Sequence, residues 1–153
     1  MTTPEARLSK LGIELGAPVA AVANYVPFVV SGQLLFISGQ VSMGPDGLVK
    51  GRLGEDMDLA AGQAAARLCG INLITQMKSA LHSLSRVIRI VKLGGFVSAT
   101  PEFVDIPQVV NGCSDLLVEV FGEKGRHARS AVACPVLPLG FAVEIDAVVE
   151  FSD

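Results

Sequence analysis

The sequence predicts an α+β fold in which two helices pack on one face of a mixed β-sheet. Two extended runs of apolar and small residues, 128–134 and 142–151, indicate strands, and two helical patterns begin near Asp58 and Asp105. Half of the 153 residues are hydrophobic and only 18% are charged, which is more apolar than a soluble monomer of this size requires. We therefore expect symmetric association of the chain to cover the second face of the sheet.

In the first half of the chain, the pattern predicts a short helix, a hairpin and a long helix. The short helix occupies residues 4–11, and two apolar runs between 26 and 41 flank the turn residues 31–33, as is typical of a hairpin. A second turn is predicted at 45–47, where Pro, Asp and Gly follow one another. Small and apolar residues recur at helical spacing over 58–81, so this helix is expected to pack closely on the sheet.

The second half continues with a strand, a helix and the two C-terminal strands. Residues 87–97 are apolar on both faces, and Gly94 and Gly95 predict a β-bulge in this strand. The following helix begins at Asp105 and ends before Gly122. The whole 153-residue chain is thus predicted to be one domain with a single core.

The composition argues against a membrane protein. No charged residue occurs from 15 to 45, but prolines, glycines and amide side chains interrupt this run, so no apolar span long enough to cross a bilayer is expected. The first five residues also lack the basic start and apolar stretch of a signal peptide. We expect a cytoplasmic protein without membrane contact.

The charge and the cysteine and histidine content argue against a nucleic-acid-binding protein and against a metal site. A net charge of −3 with scattered Lys and Arg argues against a nucleic-acid surface. Cys69, Cys113 and Cys134 are far apart and lack metal-ligand spacing, so they are expected to be buried thiols in a reducing compartment. With only two histidines, a multi-histidine metal site is not expected.

One arginine and one glutamate near the C-terminus are the strongest candidates for chemistry. Arg129 and Glu144 lie fifteen positions apart in the last two predicted strands. A guanidinium is a planar fork of donors suited to a carboxylate, and a carboxylate can move a proton or orient a water. We expect the two strands to be adjacent and joined by a short Pro-Gly loop, so that they could hold both groups over one pocket. An ordinary surface or interface arginine and a solvated polar strand face remain the alternatives.

Three further places in the sequence could contribute to such a pocket. Tyr25 precedes the first strand, where a packed ring with a wet hydroxyl is the alternative. Ser38 and Gly39 close the second strand, and the glycine permits either close backbone approach or a simple bulge. Asn111 is a poor mid-helix residue, so it marks either an interface contact or chance exposure. The sequence has no Ser-His-Asp arrangement, phosphate-binding glycine loop or Cys-His nucleophile pattern.

In their order and spacing, these residues resemble the RidA/YjgF family of imine and enamine deaminases. The matching pieces run over most of the chain and are Tyr25, Ser38-Gly39-Gln40, Val110-Asn111, Ala128-Arg129-Ser130, Leu137-Pro138 and Val143-Glu144-Ile145-Asp146-Ala147. The last piece is the most specific of them.

The resemblance implies a chorismate mutase-like fold in a homotrimer, with a central β-barrel, three pockets at subunit interfaces and no metal or organic cofactor. It also implies hydrolytic deamination of reactive 2-imino acids to 2-keto acids and ammonia. By this analogy Arg129 binds the substrate carboxylate and Glu144 positions or activates the attacking water. The remaining implied pocket residues are Tyr25 and Asn111, together with the backbone around Ser38, Gly39 and Ala131.

The chain departs from the best-known members in several places. Ala131 stands where a cysteine commonly follows the Arg-Ser pair, and His127 stands where a proline is common. Residues 1–20 form an N-terminal extension, and 49–58 differ from the usual short connection. The likeness is therefore to a longer, less characterised subgroup. Two alternative functions stay open: a regulatory trimer that binds a small carboxylate without turnover, and an endoribonuclease.

Overall fold

The computed structural model describes residues 2–153, which form three α-helices, a five-stranded sheet and a small two-stranded hairpin. The helices are α1 (Pro4–Lys10), α2 (Leu59–Leu81) and α3 (Ile106–Phe121). The strands are β1 (Phe28–Ser31), β2 (Leu34–Val41), β3 (Met43–Gly44), β4 (Gly47–Leu48), β5 (Val87–Ser98), β6 (Ala128–Cys134) and β7 (Val143–Phe151). Each helix and strand predicted from the sequence is present close to its expected bounds.

The large sheet is mixed and has the strand order β1-β2-β7-β5-β6. Neighbouring strands are antiparallel except β5 and β6, which are parallel because α3 carries the chain back across the sheet. The predicted α+β class is confirmed. The expectation that the last two strands are adjacent is wrong, because β5 lies between β6 and β7.

The core lies between one face of the sheet and the two long helices. In β7, buried apolar residues alternate with Glu144, Asp146 and Glu150, which lie on the opposite face. The helices α2 and α3 approach each other closely at Gly112, where a side chain would collide with the backbone of Gln63. This close approach of the two helices was not predicted; the sequence predicted close packing of α2 on the sheet through its small residues, of which Ala65 and Ala66 are buried.

The glycine pair in β5 has a different role from the predicted bulge. The register between β5 and β7 shifts at 87–92 and is regular at Gly94 and Gly95, so the prediction of a bulge there is wrong. A Cβ at Gly94 would lie 2.6 Å from Oδ1 of Asp146, and a Cβ at Gly95 would lie 2.9 Å from Cγ2 of Val110 on α3. The two glycines thus make room for a carboxylate on one face and for a helix on the other.

The face of the sheet that the helices leave uncovered carries apolar side chains. We call it the open face. Val29, Phe36 and Val132 lie on it and are 52%, 43% and 47% exposed in the single chain. A group of exposed apolar side chains on one face of a sheet is typical of an interaction surface.

The N-terminal helix α1 is docked on the helical layer. Leu8 is buried, and Oε1 of Glu5 accepts hydrogen bonds from the Leu84 backbone N–H (2.8 Å) and from Nζ of Lys78 (3.0 Å). The predicted extension, 1–20, therefore contains a packed helix, although its first residue lies outside the described part. None of the three helices in the described chain is long and apolar enough to cross a membrane.

Candidate functional site

Glu144 on β7 lies in a pocket of about 390 Å³ on the open-face side of the sheet. Tyr25 and Gly39 line the same pocket, so three of the predicted site residues meet here. We call Tyr25, Gly39 and Glu144 the carboxylate half-site. The rest of the wall is mainly apolar and comes from the segment 19–23, from β2 to β4 and from the turn before β7.

Gly39 lets the backbone of β2 approach the Glu144 side chain. A Cβ at this glycine would lie 2.9 Å from Cδ of Glu144, so any larger residue would displace the carboxylate. The register of β2 against β7 shifts between Ile37 and Gln40, so the bulge considered from the sequence is also present. Ser38 does not line the pocket; its hydroxyl donates to the carbonyl of Val26 (2.7 Å) and fixes the segment that follows Tyr25.

The environment of Glu144 favours a protonated carboxyl more than water does. Burial raises its pKa, and the neighbouring carboxylate of Asp146 raises it further. Such a group is a stronger base than an ordinary glutamate when it is ionised. It can accept a proton from a water molecule held in the pocket.

Arg129 on β6 lies on the helix-covered face of the sheet. Its register partner in β5 is Leu93, which is fully buried in the core. The guanidinium reaches α3, where Nη1 donates to Oγ of Ser114 (2.9 Å) and Nη2 donates to the carbonyl of Pro107 (3.1 Å). Two of its five N–H groups are used in this way, which leaves three for a ligand.

Asn111 and Ala131 are the two predicted residues on the same side as Arg129. Asn111 lies on α3 between the two contacts of Arg129, at a spacing that puts all three positions on one stripe of the helix. Ala131 follows Arg129 by two residues and packs against the core. We call Arg129, Asn111 and Ala131 the guanidinium half-site.

A chain of hydrogen bonds behind Arg129 was not predicted from the sequence. Nδ1 of His127 lies 2.6 Å from the carbonyl of Gly125 and Nε2 lies 2.8 Å from Oγ of Ser114. A carbonyl only accepts, so Nδ1 donates and, in a neutral ring, Nε2 accepts from the serine hydroxyl. Burial lowers the pKa of His127, and Arg129 lowers it further, which keeps the ring neutral at pH 7. The serine oxygen is thereby free to accept from Arg129.

Only His127 carried a signal that could have revealed this chain of hydrogen bonds. It departs from the resembled family at the position where a proline is common, and a proline cannot form these bonds. Ser114 carried no signal, because a serine in a helix is common and its partners come from a distant strand.

Within one subunit, the two half-sites are not brought together. Glu144 pairs in register with Phe96 on the open face, whereas Arg129 lies in the row of Leu93 on the helix-covered face. Side chains in one row of paired strands share a face, so the arginine and the glutamate point to opposite sides of the sheet. No pocket formed by residues 2–153 of a single subunit therefore contains both groups.

Other reactive groups lie apart from these half-sites. Cys69 and Cys113 are buried free thiols, as predicted, and burial raises the pKa of Cys113 to about 12. Cys134 is only half-buried, so the expectation for it is wrong; it lies on the edge strand β6. Across residues 2–153, no three His, Cys, Asp or Glu side chains come together as metal ligands would.

Comparison with known proteins gives a curated relative over almost the full chain. Protein TCP17 of Trypanosoma cruzi is 47% identical over 150 residues, which cover 97% of this chain and 94% of the relative. The two sequences are thus alike over nearly all of their length.

Two solved structures resemble this chain, one with high and one with lower sequence identity. The protein Atu1372 of Agrobacterium tumefaciens is 47% identical, with a TM-score of 0.90 over 98% of this chain and 94% of that one. TdcF of E. coli, solved with bound serine, is 27% identical, with a TM-score of 0.60 over 89% of this chain and 94% of that one. This chain thus differs more from TdcF than from Atu1372.

The family comparison agrees with these structures. Residues 5–150 match the model described as "YjgF/chorismate mutase-like, putative endoribonuclease". The predicted resemblance to RidA/YjgF proteins is confirmed. The chain belongs to the YjgF/chorismate mutase-like family.

Proposed function

We propose that the chain forms a homotrimer in which the guanidinium half-site of one copy faces the carboxylate half-site of the next. The observation that carries this proposal is the placement of Arg129 and Glu144 on opposite faces of one sheet. A closed ring of identical subunits repeats one contact between two different surfaces, so each interface would complete one site. The exposed apolar residues of the open face supply a surface for this association.

The completed site would hydrolyse 2-imino acids to 2-oxo acids and ammonia. The three remaining N–H groups of Arg129 suit a carboxylate, which would fix the substrate next to Glu144 of the adjoining copy. The glutamate would take a proton from water as the oxygen attacks the imine carbon. That proton would then pass to nitrogen and give a carbinolamine. The glutamate would next take the hydroxyl proton as the carbonyl forms and deliver it to the same nitrogen, so that the carbon–nitrogen bond breaks and ammonia leaves. Since imines already hydrolyse in water, positioning supplies most of the acceleration needed.

The serine bound by TdcF supports this choice of ligand class. Serine is a small molecule with a carboxylate, as a 2-imino acid is. The apolar wall of the carboxylate half-site offers few groups for a charged polymer, which favours a small organic acid over RNA.

The direct test is to remove the arginine. Arg129→Ala is expected to abolish detectable ammonia release from 2-iminopropanoate and 2-iminobutanoate, generated in the assay by an amino acid oxidase, because the substrate carboxylate loses its bidentate partner. Arg126→Ala is the matched control, since that exposed arginine pairs only with Glu123 on its own turn. Light scattering would verify that both variants keep the oligomeric state of the native chain. Full activity in Arg129→Ala would reject the assignment.

A further inference from the structure

The pocket of the carboxylate half-site is larger and more apolar than the smallest 2-imino acids require. Its volume of about 390 Å³ is roughly that of a dozen liquid water molecules. The imine of alanine has a single methyl group beyond its reacting carbon. Such a substrate would cover little of the apolar wall that the single chain presents, so this wall would contribute little to its binding.

One wall of the pocket is a segment that we call the strap, residues 19–25. Its residues are small or apolar up to Ala23, and most of them line the pocket directly. Nε2 of Gln76, a buried side chain on α2, donates to the carbonyl of Val19 (2.9 Å) and holds the start of the strap against the helical layer. The strap is therefore an anchored wall of the site.

Other parts of the wall are also apolar. Met43 and Leu48 come from the β3–β4 hairpin, and Leu139 comes from the turn between β6 and β7. Leu139 has a positive φ of 57°, a conformation that residues other than glycine rarely adopt and that tends to occur at functional sites. Leu139 is 68% exposed in the single chain and lines the pocket, so it offers apolar surface to a ligand.

We infer that the substrate of this site carries an aliphatic side chain several carbons long, which lies between the strap and Leu48. The inference rests on the proposed function for the position of the carboxylate and the reacting carbon. It adds the chemical class of the rest of the molecule. The polar side chain of serine, as found in TdcF, is not what this wall fits.

The experiment is a calorimetric titration of the full chain with a homologous series of stable 2-oxo acids. Pyruvate, 2-oxobutanoate, 2-oxopentanoate and 2-oxohexanoate differ by one methylene at a time. The expected dissociation constant falls roughly three- to fourfold with each added methylene. A series with equal dissociation constants, or one in which pyruvate binds most tightly, would overturn the inference.

Two pairs of variants tie the effect to the pocket. Leu48→Ala removes part of the wall and should flatten the series, whereas Leu11→Ala, a leucine of similar exposure at the end of α1, should leave it unchanged. Ala21→Leu fills the pocket and should weaken binding of the longest acid at least tenfold more than it weakens binding of pyruvate. Ala17→Leu, outside the pocket, is its control. Equal series in a variant and its control would contradict the assignment of the wall.

Measuring ammonia release alongside binding distinguishes a failure of this inference from a failure of the proposed function. A binding series that favours long acids, with no ammonia released from any imine, would leave the substrate class standing and reject catalysis. Ammonia release from imines, together with equal dissociation constants along the series of 2-oxo acids, would support catalysis and reject the proposed substrate class.

Discussion

At the scale of single residues, the surroundings of Glu144 determine the pH range in which the proposed chemistry works. A base must be ionised, so activity falls as the pH falls through the pKa of the carboxyl group. Burial, followed by the charge of Asp146, raises this pKa, which places the loss at a higher pH than for an ordinary glutamate. The ionisation of Glu144 is thus coupled to the charge of Asp146 on the same strand.

Removing the charge of Asp146 tests this coupling. In Asp146→Asn, the acid limb of kcat/KM for imine hydrolysis is expected to move to lower pH, because one of the two causes that raise the pKa of Glu144 is gone. Glu150→Asn, a change on the same face of β7, is the control and should leave the limb in place. An acid limb that does not move in Asp146→Asn would contradict this role for Asp146.

The hydrogen-bond chain behind Arg129 makes a prediction at the same scale. Ser114→Ala removes an acceptor for a charged donor and is expected to raise KM about tenfold with little change in kcat, because the arginine would bind the same carboxylate before and during reaction. Ser114→Thr keeps the hydroxyl and should restore KM. Ser79→Ala, an exposed serine on α2, is the control. A loss of kcat alone in Ser114→Ala would exclude a positioning role.

At the scale of elements, the local pattern was sufficient for the bounds but not for the order of the strands. Helix α2 begins where Asp58 caps it, with Oδ1 accepting from the Ala61 backbone N–H at 2.8 Å, and the cap is readable from the sequence. The position of β5 between β6 and β7 is not readable in this way. It depends on pairing across α3, which involves contacts far apart in the sequence.

The candidate site, too, was predicted from the sequence only in part. Motif order indicated Tyr25, Gly39 and Glu144, and these three meet in one pocket. The motifs did not contain the strand order, so they could not indicate that Arg129 faces the opposite way. A pattern of residues identifies chemical groups, whereas register and topology decide which face they occupy.

Gly94 tests the explanation given for the glycine pair. Gly94→Ala is expected to lower the free energy of unfolding by about 1–3 kcal/mol, because the new methyl group would crowd the carboxylate of Asp146. Gly16→Ala is the matched control, since nothing lies within 4 Å of a Cβ built there. Urea denaturation measures both. Equal stability of Gly94→Ala and the native chain would show that the close approach is not required.

At the scale of the whole molecule, the two half-sites lie on opposite faces of the sheet, and in our proposal only the association of several copies brings them together. One copy presents a guanidinium held by α3, and the same copy presents a half-buried carboxylate on its open face. In the proposed mechanism neither half acts on a 2-imino acid alone, so the proposed activity and the proposed trimer depend on each other. Binding the carboxylate and activating the water would be tasks of different copies.

Mixing two inactive variants tests this central claim most directly. Arg129→Ala keeps the glutamate and Glu144→Gln keeps the arginine, so each variant alone is expected to be inactive in imine hydrolysis. After equal amounts are unfolded and refolded together, random assembly should pair an intact arginine with an intact glutamate at about one quarter of the interfaces. The account predicts that roughly a quarter of native activity returns. Mixed oligomers that form, as verified by mass spectrometry, and yet stay inactive would contradict it.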